Sequence, residues 1–115
     1  MSTEFQLTVA EDTPQRTVFR VAGDLDARSA PRLVERCGRA RAEGKRVIVN
    51  LAQVTFIASS GVGALLALVE EFRDGGATLH LVTPSPAVMS VIRLLGLEAF
   101  LPIDPNEDAA RAAAA

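Results

Sequence analysis

A chain of 115 residues, 49% of them hydrophobic, is long enough to fold as one domain with a genuine core and suggests no second domain. A net charge of −2, with five Phe and no Trp or Tyr, excludes the strongly basic face and the aromatic stacking platform of a nucleic-acid binder. No apolar run is long enough to cross a bilayer, and the N-terminus has no basic segment leading into an apolar one, so a cytoplasmic protein without membrane insertion is expected.

In chain order, Phe5 to Val9 alternates weakly and is predicted as an edge strand, with Phe5, Leu7 and Val9 facing one way. Glu11-Asp12-Thr13-Pro14 is a turn, and Thr17 to Ala22 is a second strand, paired antiparallel with the first across a short loop. Gly23-Asp24-Leu25-Asp26 closes that strand. Ser29 and Pro31 mark the start of a helix that runs to about Ala42 and stops at Gly44, because Pro suits the first helical turn. Its apolar stripe is Leu33, Val34, Cys37 and Ala40. Arg32, Arg36, Arg39 and Arg41 are expected on its solvated outer face, and the single cysteine as an inert buried thiol.

Val47, Ile48, Val49 and Leu51 form a β-branched apolar run, bounded by Gly44-Lys45-Arg46 and Ala52-Gln53, as suits a central strand covered on both faces. Val54, Phe56 and Ile57 lead into Ala58-Ser59-Ser60-Gly61. A helix follows, with Val62, Leu65, Leu66, Val69 and Phe72 at helical spacing, and ends at Gly75-Gly76. Either serine is expected to cap it. Gly63, Ala64, Ala67 and Leu68 lie off the main stripe yet are small or apolar, so this helix is either heavily buried or presents an apolar patch to a partner. Thr78 to Val82 is the next strand, Pro86 to Leu95 a third helix, and Phe100 to Ile103 a last short strand. The residues from Pro105 onward read as a short helix or a frayed end.

No catalytic set assembles from these residues. His80 is the one histidine and has no neighbouring ligand types in the sequence, so neither a metal nor another cofactor is expected. Asp24 and Asp26 could in principle serve as an acid–base pair or hold a cation, but turn formation with capping of the next helix is the favoured account. Gly61-Val62-Gly63 has part of the look of a phosphate loop but lacks its lysine. A serine nucleophile needs a base, and none is suggested near Ser59 or Ser60, so the protein is not expected to be an enzyme. The start of a helix nonetheless favours negative charge through its unpaired N–H groups and dipole, so a phosphate carried there would not break the fold.

Val47-Ile48-Val49-Asn50-Leu51 followed by Val54-Thr55-Phe56-Ile57-Ala58-Ser59-Ser60-Gly61-Val62-Gly63 resembles the signature of the STAS domain, specifically of bacterial anti-sigma factor antagonists. Gly23-Asp24-Leu25-Asp26 resembles the family's earlier Gly-x-Leu-Asp turn. Ser85-Pro86 before the third helix, with Gly96-Leu97 after it, resembles its C-terminal half. The likeness runs from about residue 5 to 103, leaving 104–115 as a tail or short helix. It implies an α/β fold: a STAS-like mixed sheet of roughly four or five strands with helices packed against it, in a single domain.

The resemblance further implies partner switching. In the family the unphosphorylated antagonist binds an anti-sigma factor that is also a serine kinase of the histidine-kinase-like ATPase fold, and so frees the sigma factor for transcription. The kinase ends the interaction by phosphorylating the first Ser of an Asp-Ser-Ser/Thr-Gly motif, and a serine phosphatase restores it. That serine corresponds to Ser59, with Ser60 as the alternative acceptor, and Ala58 stands where the family usually has Asp. The expected partner-binding residues are Asp24, Asp26, Ser59, Ser60, Gly61, Gly63, Ala64, Ala67 and Leu68. The alternative is a STAS interaction or nucleotide-binding module that works without phosphorylation, such as an accessory subunit of a lipid transporter.

Overall fold

The computed structural model describes residues 3–113. Its elements are β1 (Gln6–Asp12), β2 (Arg16–Leu25), α1 (Ala30–Ala42), β3 (Arg46–Ile57), α2 (Ser59–Asp74), β4 (Leu79–Val82), α3 (Pro86–Leu94), β5 (Ile103–Asp104) and α4 (Glu107–Ala113). The strands lie in one sheet in the order β1-β2-β3-β4-β5. β1 is antiparallel to β2, and each later pair is parallel. This is the expected mixed α/β sheet, with a hairpin first and helical crossovers after it.

Thr13 makes the hairpin tight: its hydroxyl accepts the Arg16 N–H at 3.0 Å and its own N–H donates to the Arg16 carbonyl at 2.8 Å. Pleating then sorts β3 onto two faces, because successive side chains point in opposite directions. Val47, Val49 and Leu51 join the main core with Phe19 and Val21 of β2 and Leu79 and Leu81 of β4. Leu33 and Cys37 of α1, Leu65, Leu68 and Phe72 of α2, and Val88 and Ile92 of α3 complete that core, so three helices cover the inner face. Each fully buried side chain of this kind contributes roughly 1.5–3 kcal/mol against leaving it in water. The outer face carries a second, small cluster of Val18, Ile48 and Val82, closed by Ala110 of α4.

Several local expectations need correction. β3 is one continuous strand through Ala52 and Gln53, because the register against β2 shifts between Arg20 and Ala22 and again between Gly23 and Asp24, which absorbs the break in alternation. β2 likewise continues to Leu25 and does not close at Gly23. The last strand is displaced to Ile103–Asp104, and Phe100 is 62% exposed in the preceding turn. The arginines of α1 are not merely solvated: Arg32, Arg36 and Arg41 lie over the rings of Phe5, Phe19 and Phe72, with 5.0, 5.4 and 5.9 Å from guanidinium carbon to centroid. Of the two expectations for the C-terminal segment, the short helix is the one found: Glu107–Ala113 form α4, whose Ala110 roofs the outer cluster.

Candidate functional site

The ends of β2 and β3 are in register, with Asp24 beside Phe56 and Leu25 beside Ile57. One residue on, the Ala58 N–H donates to the Leu25 carbonyl at 3.0 Å, and the chain turns directly into α2. Gly61 makes that tight turn possible: a Cβ there would stand 2.5 Å from the Leu25 carbonyl oxygen and 2.9 Å from a side-chain carbon of Ile57. The start of α2 is thereby clamped onto the end of β2, and Ser59 and Ser60 are held out into solvent.

The serines do not cap the helix. The N-cap is Ala58, with extended backbone at φ −88°, ψ 169°, and Ser59 and Ser60 are the first two helical residues. Alanine has no oxygen to offer, so no side chain accepts the first-turn N–H groups, and no acidic residue stands in that turn. Neither the cap nor the first turn thus supplies a negative group to the positive end of the helix.

Asp24 and Asp26 have separate duties. Asp24 is buried, 8% exposed, and one carboxylate oxygen lies 3.4 Å from the Thr55 hydroxyl, which donates to it. Asp26 serves the turn before α1: its Oδ1 accepts the backbone N–H groups of Arg28 and Ser29 at 3.0 and 3.2 Å. Those bonds, Ser29's first, hold its carboxyl below the usual carboxylate range. The Ser29 hydroxyl closes the loop by donating to the Asp24 carbonyl at 2.8 Å and accepting the Asp26 N–H at 2.9 Å. Asp24 thus binds the end of β3, and Asp26 holds the turn from β2 into α1.

Ser59, Ser60, Gly63 and Ala67 are exposed along α2, and Ala64 is half-buried at their side. Ser60, Gly63 and Ala67 are three and four residues apart and share one helical face. Gly63 has open space around it, with nothing within 4 Å of the position a Cβ would take. Gly61 faces inward and is buried. Leu68 is corrected as a surface residue: it is 0% exposed and belongs to the core, since it falls one turn from Leu65 and Phe72 on the inward side. Sequence reasoning passed over Phe56, which is 52% exposed and only three residues from Ser59. No sequence period signals it, for Val54 and Phe56 share a phase by strand alternation, and the register shift between Gly23 and Asp24 turns Phe56 outward while Ile57 is buried. The whole is a shallow strip of small side chains with one aromatic and two hydroxyls. Among the described residues no group of His, Cys, Asp and Glu is arranged to hold a metal.

The sequence model of the STAS domain matches residues 5–110. The chain belongs to the STAS domain family. Over 108 residues this STAS domain is 30% identical to the anti-sigma F factor antagonist of Lysinibacillus sphaericus, covering 92% of this chain and 90% of that protein. Its fold is similar to an anti-sigma factor antagonist from Mycobacterium paratuberculosis, at a TM-score of 0.82 and 28% identity over 96% of this chain and 94% of that one. It is also similar to the Bacillus cell fate determinant SpoIIAA in its phosphorylated form, at a TM-score of 0.69 and 26% identity over 96% and 99% of the two chains.

Proposed function

We propose that this STAS domain is an anti-sigma factor antagonist that docks on its anti-sigma factor through the start of α2 and is released when Ser59 is phosphorylated. The observation that carries the reading is the exposed Ser59 hydroxyl on the first residue of an uncapped helix, three residues after the exposed Phe56 and on the same helix as the exposed small residues Gly63 and Ala67. The likeness to antagonists named for this role, one of them solved in a phosphorylated form, supports it. The anti-sigma factor is then a serine kinase of the histidine-kinase-like ATPase fold, a serine phosphatase reverses the modification, and the exchange takes place in the cytoplasm. The antagonist itself performs no chemistry.

The physical logic runs through charge. A phosphate on Ser59 adds about −1.5 to −2 charges and three acceptor oxygens. The α2 N-terminus tolerates that charge and can satisfy part of it with first-turn N–H groups, which Ala58 leaves without a side-chain acceptor. An apolar partner surface pressed against Phe56 and Gly63 has no such compensation, so desolvation opposes docking. Ser59 lies outside both hydrophobic clusters, and the fold is indifferent to the change.

The test is calorimetric titration of the cognate anti-sigma factor with wild type, Ser59→Ala and Ser59→Asp. The aspartate variant binds about a hundredfold more weakly, roughly 3 kcal/mol, and the alanine variant binds like wild type. Unchanged binding by Ser59→Asp counts against the proposal. Ala58, where relatives of this type usually have Asp, favours one second reading: a STAS module that docks through the same strip without being phosphorylated. Recovery of a lipid-transporter ATPase in place of a sigma-factor regulator would favour that reading.

A further inference from the structure

The helix on the outer face is fixed by different forces from the three on the inner face. α4 has seven residues and contributes a single buried apolar side chain, the methyl of Ala110, to the cluster of Val18, Ile48 and Val82. A helix of that length is not stable by itself in water, so its order depends on what holds it to the sheet. A cleft of about 520 Å³ opens alongside it, lined by Gln6, Thr8, Gln53, Glu107 and Arg111 among others, so solvent reaches the helix on that side.

What holds α4 is largely charge. The Arg20 fork on β2 donates from Nε and Nη2 to the Glu107 carboxylate at 2.9 and 3.0 Å, and Asn50 Nδ2 on β3 donates to it at 2.8 Å. Arg111 Nη2 reaches the same carboxylate at 3.3 Å, and its Nε donates to Glu11 on β1 at 3.1 Å. Glu107 is well covered, at 12% side-chain exposure, whereas Arg20 is 59% exposed, so salt reaches the central pair. The segment entering α4 is tied to the strained Thr83, a non-glycine residue at φ +48°, whose hydroxyl donates to the Pro105 carbonyl at 3.2 Å.

We infer that α4 is a releasable strap: it opens as a unit, by breaking the Glu107 clasp on Arg20 and Asn50, without unfolding the sheet, and bares the apolar strip Val18, Ile48 and Val82. Those side chains sit on three neighbouring strands and are each 0% exposed while the strap is closed. Opening uncovers the small cluster of Val18, Ile48, Val82 and Ala110 and leaves the much larger inner core untouched, so it costs less free energy than global unfolding. It is a conformational device on the face opposite the helices α1 to α3, independent of whether Ser59 is phosphorylated.

The test is amide hydrogen exchange on the full chain, comparing wild type with Glu107→Gln at low salt and at about 1 M NaCl, where screening is strong. The amides of Ala110 to Ala113 are expected to be protected in wild type at low salt. Their exchange should speed up about tenfold in Glu107→Gln and several-fold in wild type at high salt, while Val49 and Leu81 keep their protection. Three results overturn the inference: α4 amides that exchange in step with Val49 and Leu81, α4 amides indifferent to both the substitution and salt, or α4 amides unprotected from the outset. A purely structural helix packed by its apolar contacts would show no salt response.

Discussion

Gly61 and Leu25 touch so closely that no other residue fits: a methyl on the Gly61 Cα would lie 2.5 Å from the Leu25 carbonyl oxygen. Gly63, two residues on, faces open space. The two glycines of one motif therefore have opposite reasons for being glycine, and they respond oppositely to alanine. Gly61→Ala forces backbone apart and is expected to lose roughly 1–3 kcal/mol. Gly63→Ala gains up to about 1 kcal/mol of helix propensity, yet it weakens docking because its methyl stands on the strip beside Ser59. Thermal unfolding read by circular dichroism, together with the same binding titration, separates the two effects.

The N-cap gives a second prediction. Ala58 already has the extended backbone of a capping residue but offers no acceptor. Ala58→Asp supplies one, and adds negative charge at the positive end of α2. It should raise stability by about 1 kcal/mol, or roughly 4–8 °C in melting temperature for a domain near this size. An unchanged or lower melting temperature would mean that the first turn is already satisfied.

Acid should loosen α4 through Glu107. Its carboxyl is held down from 4.5 to about 2, first by the hydrogen bond from Arg20, against the opposing effect of burial, and then by Asn50. A carboxyl with a depressed folded-state pKa contributes stability that is fully present above its unfolded value and is lost as pH falls through the folded one. The contribution is therefore whole above about pH 5 and lost as pH falls through about 2, and it amounts to the order of 1–2 kcal/mol once the exposure of Arg20 is allowed for. Melting curves of wild type and Glu107→Gln should differ at pH 7 and converge toward about pH 2. A gap that is constant with pH would assign the effect of the substitution to packing.

Cys37 should be silent. It is 0% exposed, and burial pushes its thiol up to about 12. A thiol reagent at pH 8 is expected to leave the folded protein unlabelled and to modify one cysteine per chain in denaturant. Rapid labelling of native protein would require the α1–sheet packing to open readily.

The sequence is most legible where one physical signal dominates. The β-branched run at Val47 to Leu51, the apolar spacing of α2 and the glycines after each helix point to the sheet and its crossovers, and the shared motif points to the family. The start of α2 was legible as a place but not in its detail. Two serines before an apolar run suggest a cap, yet the tight bond from Ala58 to Leu25 begins the helix one residue earlier. Phe56 was passed over because its outward turn depends on the bulges in β3, which no period reveals. Leu68 was placed on the surface because the buried face of α2 is wider than the stripe read from the sequence and takes in Leu68 with Leu65 and Phe72. The purpose of α4 was hidden because its anchors, Arg20, Asn50 and Glu11, lie far away in the chain and its own residues carry almost no apolar signal.

The central claim is that Ser59 is a phosphorylation switch, and the most direct measurement is intact-mass and peptide mass spectrometry on the protein purified from its native host, growing and stressed. One added phosphate, located on Ser59 within the peptide spanning Val54 to Arg73, is the predicted result, and it would show that a kinase accepts Ala58 in front of the serine. Unmodified protein in both conditions, or phosphate only at another position, would contradict it.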